Sequence, residues 1–382
     1  NLEGLIDIKE RAKNNDKPVL VHVITKKGKG YLPAETNPDK FHGTGAFEIA
    51  TGEKISVEGA PKTYTEVFGD TLVKLAGNNP NIVAITAAMR DGTGLTKFFE
   101  KFPERAFDVG IAEQHAVTMA AGLAANNMRP VVAIYSTFLQ RAYDQVLHDV
   151  CMQNLPVVFC LDRAGLVGDD GYTHHGIFDY SYLRMMPGMT IMAPKDENEL
   201  RHMLYTAFDI KGPVAIRYPR GTGLGVACTE ELKLLSYSKA EKIKDGNDVC
   251  IWAAGSMVAS AVDVASRLQT FGYSAAVINM RFIKPLDEEM LIQCANNYKN
   301  LVVMEENVLA GGAGTEILEV LNKNDLLHDT RVLNFGIPDI LVPHGDKKLL
   351  FRDIGLDVTG MTRDITEWLA KENGGSVWRR NV

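Results

Sequence analysis

The chain reads as an α/β protein, a parallel sheet clothed by helices and followed by a second, smaller α/β unit. Three observations predict this. Short apolar runs of strand length, such as Ile82–Thr86, 131–136 (VVAIYS) and 156–162 (PVVFCLD), alternate with longer runs of helical periodicity. These strands are apolar throughout rather than alternating, as expected where helices cover both faces of a sheet. A polar stretch at 229–247 then separates this series from a second one, whose strands read VCIWAAG, YSAAVINM, NLVVMEEN and TRVLNFG.

Taken in order, the first residues predict a charged helix at 5–14 and a strand, VLVHVIT, at 19–25. A Lys-, Gly- and Pro-rich loop follows, KKGKGYLPAETNPDKFHGTG, and polar residues continue to Pro61. One helix and one strand cannot make a core, so residues 1–60 read as the tail of a domain plus a linker. From Thr65 the alternation is regular: helix 65–77, strand 82–86, a buried strand end at 106–109, a helix of small residues at 116–125, strand 131–136 and helix 138–152. Strand 156–162, helix 199–208 and the strand VAIRYP close the series near Gly223. Ser136 or Thr137 is placed to cap the helix at 138–152. Helices lie between the strands of the second series, and a final helix spans 364–372. The division is thus 1–60, 61–224 and 225–382.

With 382 residues, 46% of them hydrophobic, the chain can bury substantial cores. A net charge of −7 argues against a nucleic-acid or anionic-membrane binder. Any phosphate must then be caught locally, by a few placed arginines or backbone amides. Five cysteines without a CxxC pair read as free thiols, three of them in apolar runs, which points to a reducing, cytoplasmic compartment. No apolar run reaches membrane-spanning length. The chain starts at Asn1 rather than Met, which leaves an upstream segment open, plastid targeting included.

The chemistry-bearing residues gather after strands, where ligands of parallel sheets bind. Glu113 follows the turn at Gly110 and opens the Ala-rich helix. A first-turn Glu is favoured by the helix dipole, but burying a carboxylate without a partner is costly. A carboxyl group in a dry pocket can share a proton with a ring nitrogen. Phe138, Arg141 and Gln145 share one helical face just past a strand. Phe138 could be plain core, but its place immediately after a strand, level with Glu113, favours ring stacking. The loop DRAGLVGDDGYTHHGIFD holds Arg163, Asp170, His174, His175 and Asp179 among glycines, which let backbone approach a ligand. Adjacent histidines face different ways and no metal-ligand spacing is present, so an acid/base His fits better than a metal site. Arg163 and Arg220 each follow a strand beside glycine and could clamp a phosphate with paired hydrogen bonds. His42 stands alone in the linker.

Together GIAEQH, YSTFLQRAYDQ, DRAGLVGDDGYTHHG and RYPRG resemble the 1-deoxy-D-xylulose-5-phosphate synthases, thiamine-diphosphate enzymes of the transketolase superfamily. TKKGKGYLPAE, KFHG, RFIKPLD and VVMEEN extend the likeness over nearly the whole chain. The resemblance implies a pyrimidine-binding domain of transketolase type at 61–224 and a transketolase C-terminal domain at 225–382. It implies decarboxylative condensation of pyruvate with glyceraldehyde 3-phosphate, giving 1-deoxy-D-xylulose 5-phosphate, a precursor of isoprenoids, thiamine and pyridoxal. By motif position Glu113 would exchange a proton with the cofactor's pyrimidine ring, Ile111 would support the bent cofactor, and Phe138 would stack on the pyrimidine with Arg141 nearby. Tyr135, Asp170 and His174 would face the reacting carbons, and Arg163 and Arg220 would hold the substrate phosphate. His42 matches a linker histidine that reaches the same site, and Lys27 matches a residue near the cofactor.

One departure bears on the cofactor. The family's GDG…N motif for diphosphate and magnesium is absent, and the nearest string, GDDG at 168–171, belongs to the substrate loop. Thiamine diphosphate and Mg2+ are therefore expected on an N-terminal diphosphate-binding domain, of which the first thirty residues resemble the last helix and strand. No metal ligand is assigned to this chain. The expected partners are that domain and a second copy in a homodimer, with the chain alone inactive. The rival readings are a transketolase, the β subunit of a 2-oxo acid dehydrogenase, and a non-catalytic dimerising module.

Overall fold

The computed structural model describes residues 1–38, 40–41, 44–53, 55 and 59–371, in two units, 1–59 and 60–382. The first unit holds helix α1 (Leu2–Lys13), capped by the Asn1 side chain, and the short α2 (Leu32–Thr36). The strand expected at 19–25 does not form, and Val19, Leu20, Val23 and Ile24 stand exposed. A strand exists only as a paired element, and among the described residues no strand of this unit pairs with that stretch.

The second unit opens with α3 (Tyr64–Asn78), whose first turn is closed by reciprocal hydrogen bonds between Thr63 and Glu66. Then come β1 (Ile82–Thr86), α4 (Thr96–Lys101), β2 (Ala106–Asp108), α5 (Glu113–Ala125) and β3 (Arg129–Tyr135). The next segment is broken into α6 (Ser136–Leu139), a 3-10 turn (Gln140–Ala142), α7 (Tyr143–Gln145) and a π-helical turn (Val146–Cys151). β4 (Val158–Ala164), α8 (Asp179–Arg184), β5 (Thr190–Met192), α9 (Glu197–Ala207) and β6 (Val214–Pro219) follow. The remainder comprises β7 (Glu241–Lys244), β8 (Val249–Ala253), α10 (Met257–Thr270), β9 (Ala275–Asn279), β10 (Phe282–Lys284) and α11 (Glu288–Asn297). It ends with β11 (Asn300–Val308), α12 (Ala313–Lys323), β12 (Arg331–Ile337), α13 (Lys347–Asp353) and α14 (Val358–Ala370).

Among the described residues, seven strands form the larger sheet in the order β10-β5-β6-β4-β3-β1-β2, parallel but for β10. Five form the other, β12-β11-β8-β9-β7, parallel but for β7. Chain beyond residue 225 thus returns a strand, β10, to the first sheet. On one face of that sheet Ala116, Ala120, Ala121 and Ala124 of α5 pack with Ile85, Val132 and Ile134. Small side chains let α5 lie close. The opposite face carries Phe68 and Leu72 of α3 and Leu200 and Leu204 of α9 against Ala84, Val131, Val158 and Ile216.

Several local expectations are corrected. β2 is a half-buried edge strand, not a buried one. The single helix expected at 138–152 is interrupted, and its π-helical turn buries Val146 and Val150 in the core cluster that contains the alanines of α5. Ser136 does not cap that helix: it begins it, and its hydroxyl donates to Asp179 Oδ2 at 2.9 Å. Thr137 likewise gives no cap, its hydroxyl donating to the Thr173 carbonyl at 3.3 Å. α14 starts at Val358, earlier than expected, because Asp357 caps it. Four of the five cysteines are buried, Cys228 being the exposed one.

Candidate functional site

The site is built where β3, β4 and β6 end and α5 begins. Glu113, the first residue of α5, is 3% exposed. Its Oε2 accepts from Arg141 Nη1 at 3.0 Å, and among the described residues Oε1 accepts no hydrogen bond. The break after α6 is what lets Arg141 turn back on α5. Ile111, two residues before Glu113, is 76% exposed, a large apolar side chain beside a buried carboxylate.

Tyr135 ends β3, and its ring lies parallel to that of Phe138, with centroids 5.5 Å apart and an interplanar angle of 14°. His174 meets Phe138 edge-on at 5.4 Å. The Arg163 guanidinium stacks on the other aromatic partner, 4.1 Å above the Tyr135 ring. Burial pushes the Tyr135 phenol up to about 12. Arg163 sits in the left-handed region at φ 59° and donates from Nη1 to Asp162 Oδ1 at 2.9 Å and to the Gly92 carbonyl at 2.5 Å. Asp162 is fully buried, and burial raises its carboxyl pKa although Arg163 and the Thr65 hydroxyl oppose the rise. Arg220, just past β6, donates to Asp170 Oδ2 at 3.0 Å and to the Val167 carbonyl at 3.3 Å.

The two histidines of the loop separate cleanly. His174 is half-buried, with Nδ1 2.8 Å from the Thr173 hydroxyl. His175 is buried: its Nδ1 accepts from the Val167 amide at 3.1 Å, so Nε2 carries the proton and donates to the Pro343 carbonyl at 3.2 Å. Burial lowers the His175 pKa. It serves the loop's shape, not a ligand.

Glu113, Tyr135, Phe138, Arg141, Arg163, Asp170, His174 and Arg220 are thus brought to one sheet edge. Lys27 stands exposed in the 1–59 unit, and His42 lies outside the described residues. Among the described residues no cluster of three or more His, Cys, Asp or Glu could hold a metal ion. Sequence reasoning missed a buried charge network behind the site. Arg217, inside β6, bonds Asp179 at 3.1 Å and donates to the Gly176 and Glu306 carbonyls at 3.1 and 2.9 Å. The signal was present, since an Arg within an apolar strand (VAIRYP) needs a buried partner. The same holds for Glu305 and Glu306 in VVMEEN. Glu305 is raised to about 7 by burial, despite amide hydrogen bonds from Ala313 and Gly314 at the start of α12.

Comparison with known proteins bears on this geometry. Residues 60–223 match the pyrimidine-binding domain of transketolase, and 238–361 match the transketolase C-terminal domain. The chain is 56% identical over 97% of its length to the 1-deoxy-D-xylulose-5-phosphate synthase 1 of Geobacter sulfurreducens, of which it covers 58%. It is 55% identical over 97% to the 1-deoxy-D-xylulose-5-phosphate synthase of Pelotomaculum thermopropionicum, again covering 58% of that protein. It therefore spans little more than half the length of these relatives. Among solved structures it resembles a split-gene transketolase described as an inactive β4 tetramer (TM-score 0.72, 29% identity), covering 82% of this chain and 100% of that one. A Campylobacter jejuni transketolase shares the fold at TM-score 0.67 and 18% identity, over 95% of this chain and 52% of that one. The chain, which matches both domain types, belongs to the transketolase family.

Proposed function

We propose that this chain supplies the pyrimidine-binding part of the active site of a 1-deoxy-D-xylulose-5-phosphate synthase, joining pyruvate to glyceraldehyde 3-phosphate with loss of carbon dioxide. The observation that carries the reading is Glu113, a buried carboxylate opening a helix with Arg141 on one oxygen. Identity above 50% to synthases of that name, over nearly all of the chain, supports the choice of substrates.

The residues present fit the pyrimidine end of thiamine diphosphate. They offer a buried carboxylate oxygen, the half-buried ring of Phe138 and the exposed side chain of Ile111. When bound, the cofactor supplies the electron sink that decarboxylation and carbon–carbon bond formation require. Glu113 holds and exchanges a proton with the ring nitrogen, and Arg141 fixes the carboxylate for that exchange. Arg220 and Arg163 bind the phosphate of the aldehyde, and Arg220 exchanges its pairing with Asp170 to do so. His174, steadied by Thr173 and Phe138, orients the substrate or moves a proton at the reacting carbons.

The diphosphate, its magnesium ion and a partner copy belong in this reading to the complete enzyme, a cytoplasmic homodimer, and not to this chain alone. A second reading, a split transketolase subunit, is favoured by the likeness to the split-gene chain. The substrate panel separates the two. With a diphosphate-binding domain supplied, turnover of pyruvate plus glyceraldehyde 3-phosphate supports the synthase. Turnover confined to ketol transfer between sugar phosphates, or to a lipoyl acceptor, would reject it.

A further inference from the structure

The loop from Gly165 to Gly176 carries Asp170 and His174 into the site, yet much of what fixes it lies in the C-terminal domain. Its neck closes through two backbone hydrogen bonds between Gly165 and Gly176, of 2.7 and 2.9 Å. Over that neck sits Glu306 of β11, 1% exposed. Its carboxylate accepts from the Leu166 amide at 2.8 Å, from the Ser256 hydroxyl at 2.6 Å and from Lys347 Nζ at 2.9 Å. Gly165, at φ 77°, leaves room for it, because a Cβ there would fall on the Glu306 carboxyl. Burial works to raise the Glu306 pKa, but Lys347 and Ser256 outweigh it and hold the group ionised below the usual carboxylate range.

The segment 342–347 covers the rest of the loop. The Gly345 amide donates to the Gly168 carbonyl at 3.2 Å, and His175 reaches the Pro343 carbonyl. At Gly171 a Cβ would lie 3.0 Å from His344 Cβ, so the two backbones pack closely. Lys347 is the first residue of α13, so one side chain links this segment to the neck.

We infer that Glu306 and Lys347 are positioning residues for the reaction: Lys347 holds the Glu306 carboxylate on the loop neck, and the neck sets Asp170 against Arg220 and His174 against Phe138. Neither residue reaches the site groups itself. The substrate named in the test rests on the synthase reading, whereas the anchorage does not.

The test uses the complete enzyme, with its diphosphate-binding domain, carrying Lys347→Met or Lys347→Arg. Lys347 is one-third exposed, so its replacement leaves the sheets intact. In Lys347→Met the amides of 165–176 should exchange with deuterium on the order of tenfold faster while β8 and β11 keep their protection. The KM for glyceraldehyde 3-phosphate should rise by about tenfold with thiamine diphosphate affinity unchanged. Lys347→Arg should restore both. The double variant Glu306→Gln, Lys347→Met, which buries no unpaired charge, replaces the single one if that folds poorly, with the same results expected. Unchanged loop exchange overturns the inference, as does equal acceleration throughout β8, β11 and β12, or failure of Lys347→Arg to rescue. A wild-type enzyme that does not turn over these substrates sinks the synthase reading instead, and loop exchange still decides the anchorage.

Discussion

Glu113 can be read in two ways, as a helix-opening carboxylate or as an acid–base group, and its surroundings favour the second. A first-turn Glu serving only the helix dipole has no need to be buried, nor to recruit Arg141. Glu113→Gln in the complete enzyme should fold normally and lose about two orders of magnitude or more in turnover. Near-normal kcat would remove Glu113 from the chemistry. The two arginines are not equivalent, although the sequence offered them as a matched pair. Arg220 is the cleaner probe of phosphate binding. Charge-assisted contacts are worth ~1.5–3 kcal/mol, so Arg220→Ala should raise the KM for glyceraldehyde 3-phosphate roughly ten- to a hundredfold and leave that for pyruvate nearly unchanged. Equal effects on both substrates would count against a phosphate role. Arg163 also neutralises the buried Asp162. Removing it should therefore cost stability as well, by about 3 kcal/mol or more. His174→Ala should lose rate without losing cofactor affinity, whereas His175→Ala should lower Tm. The buried His175 has a depressed pKa, so it binds a proton more readily unfolded than folded. Its stabilisation is present above the unfolded value near 6.5 and is lost as pH falls through the lower folded value. Tm measured from pH 8 to 5 should fall more steeply in the wild type than in a His175→Gln variant, and parallel curves would contradict this.

At the scale of elements, the long apolar strands were legible because largely apolar runs such as IVAIT and VVAIYS have few other uses in an α/β chain. The helix of small residues was legible too, since Ala and Gly at successive positions permit close approach. The three-residue strands β5 and β10 and the four-residue β7 were not, because runs so short carry no periodicity. The break in the helix after β3 was also hidden. Its cause is tertiary, in the buried packing of Val146 and Val150 and the return of Arg141 to Glu113. The site residues were legible from strand ends and motif likeness. Their distant partners were not, because Thr65 and Gly92 meet Arg163 from separate elements, whereas Asp162 is its neighbour in β4. Gly92 tests that assembly: a Cβ there would collide with the Tyr135 hydroxyl. Gly92→Ala should displace the Tyr135 ring and lower kcat/KM by roughly tenfold while Tm shifts only slightly, since the strain falls on one ring and not on the core. Unchanged kinetics would place Tyr135 outside the reaction.

At the scale of the molecule, the two sheets of residues 60–382 share one apolar cluster, each packs a further one of its own, and buried charged groups cross between them: Arg217 donates to the Glu306 carbonyl and the Glu306 carboxylate accepts from the Leu166 amide. Such networks constrain geometry more than they stabilise it, which suits a site whose loop is held from the other domain. The pyrimidine site offers stacking and a carboxylate oxygen, whereas the cofactor's charge lies on its diphosphate and calls for a cation with oxygen ligands. The 382-residue chain should accordingly fold by itself yet give no calorimetric heat with micromolar thiamine diphosphate and magnesium, and addition of a diphosphate-binding domain should produce it. Tight binding by the chain alone would mean that the diphosphate is held by residues other than those proposed. The most direct measurement is product identification by mass spectrometry from that completed enzyme, given pyruvate, glyceraldehyde 3-phosphate, thiamine diphosphate and magnesium. The expected result is 1-deoxy-D-xylulose 5-phosphate with one carbon dioxide released per product, largely lost in Glu113→Gln; ketol transfer between sugar phosphates, with pyruvate untouched, would contradict it.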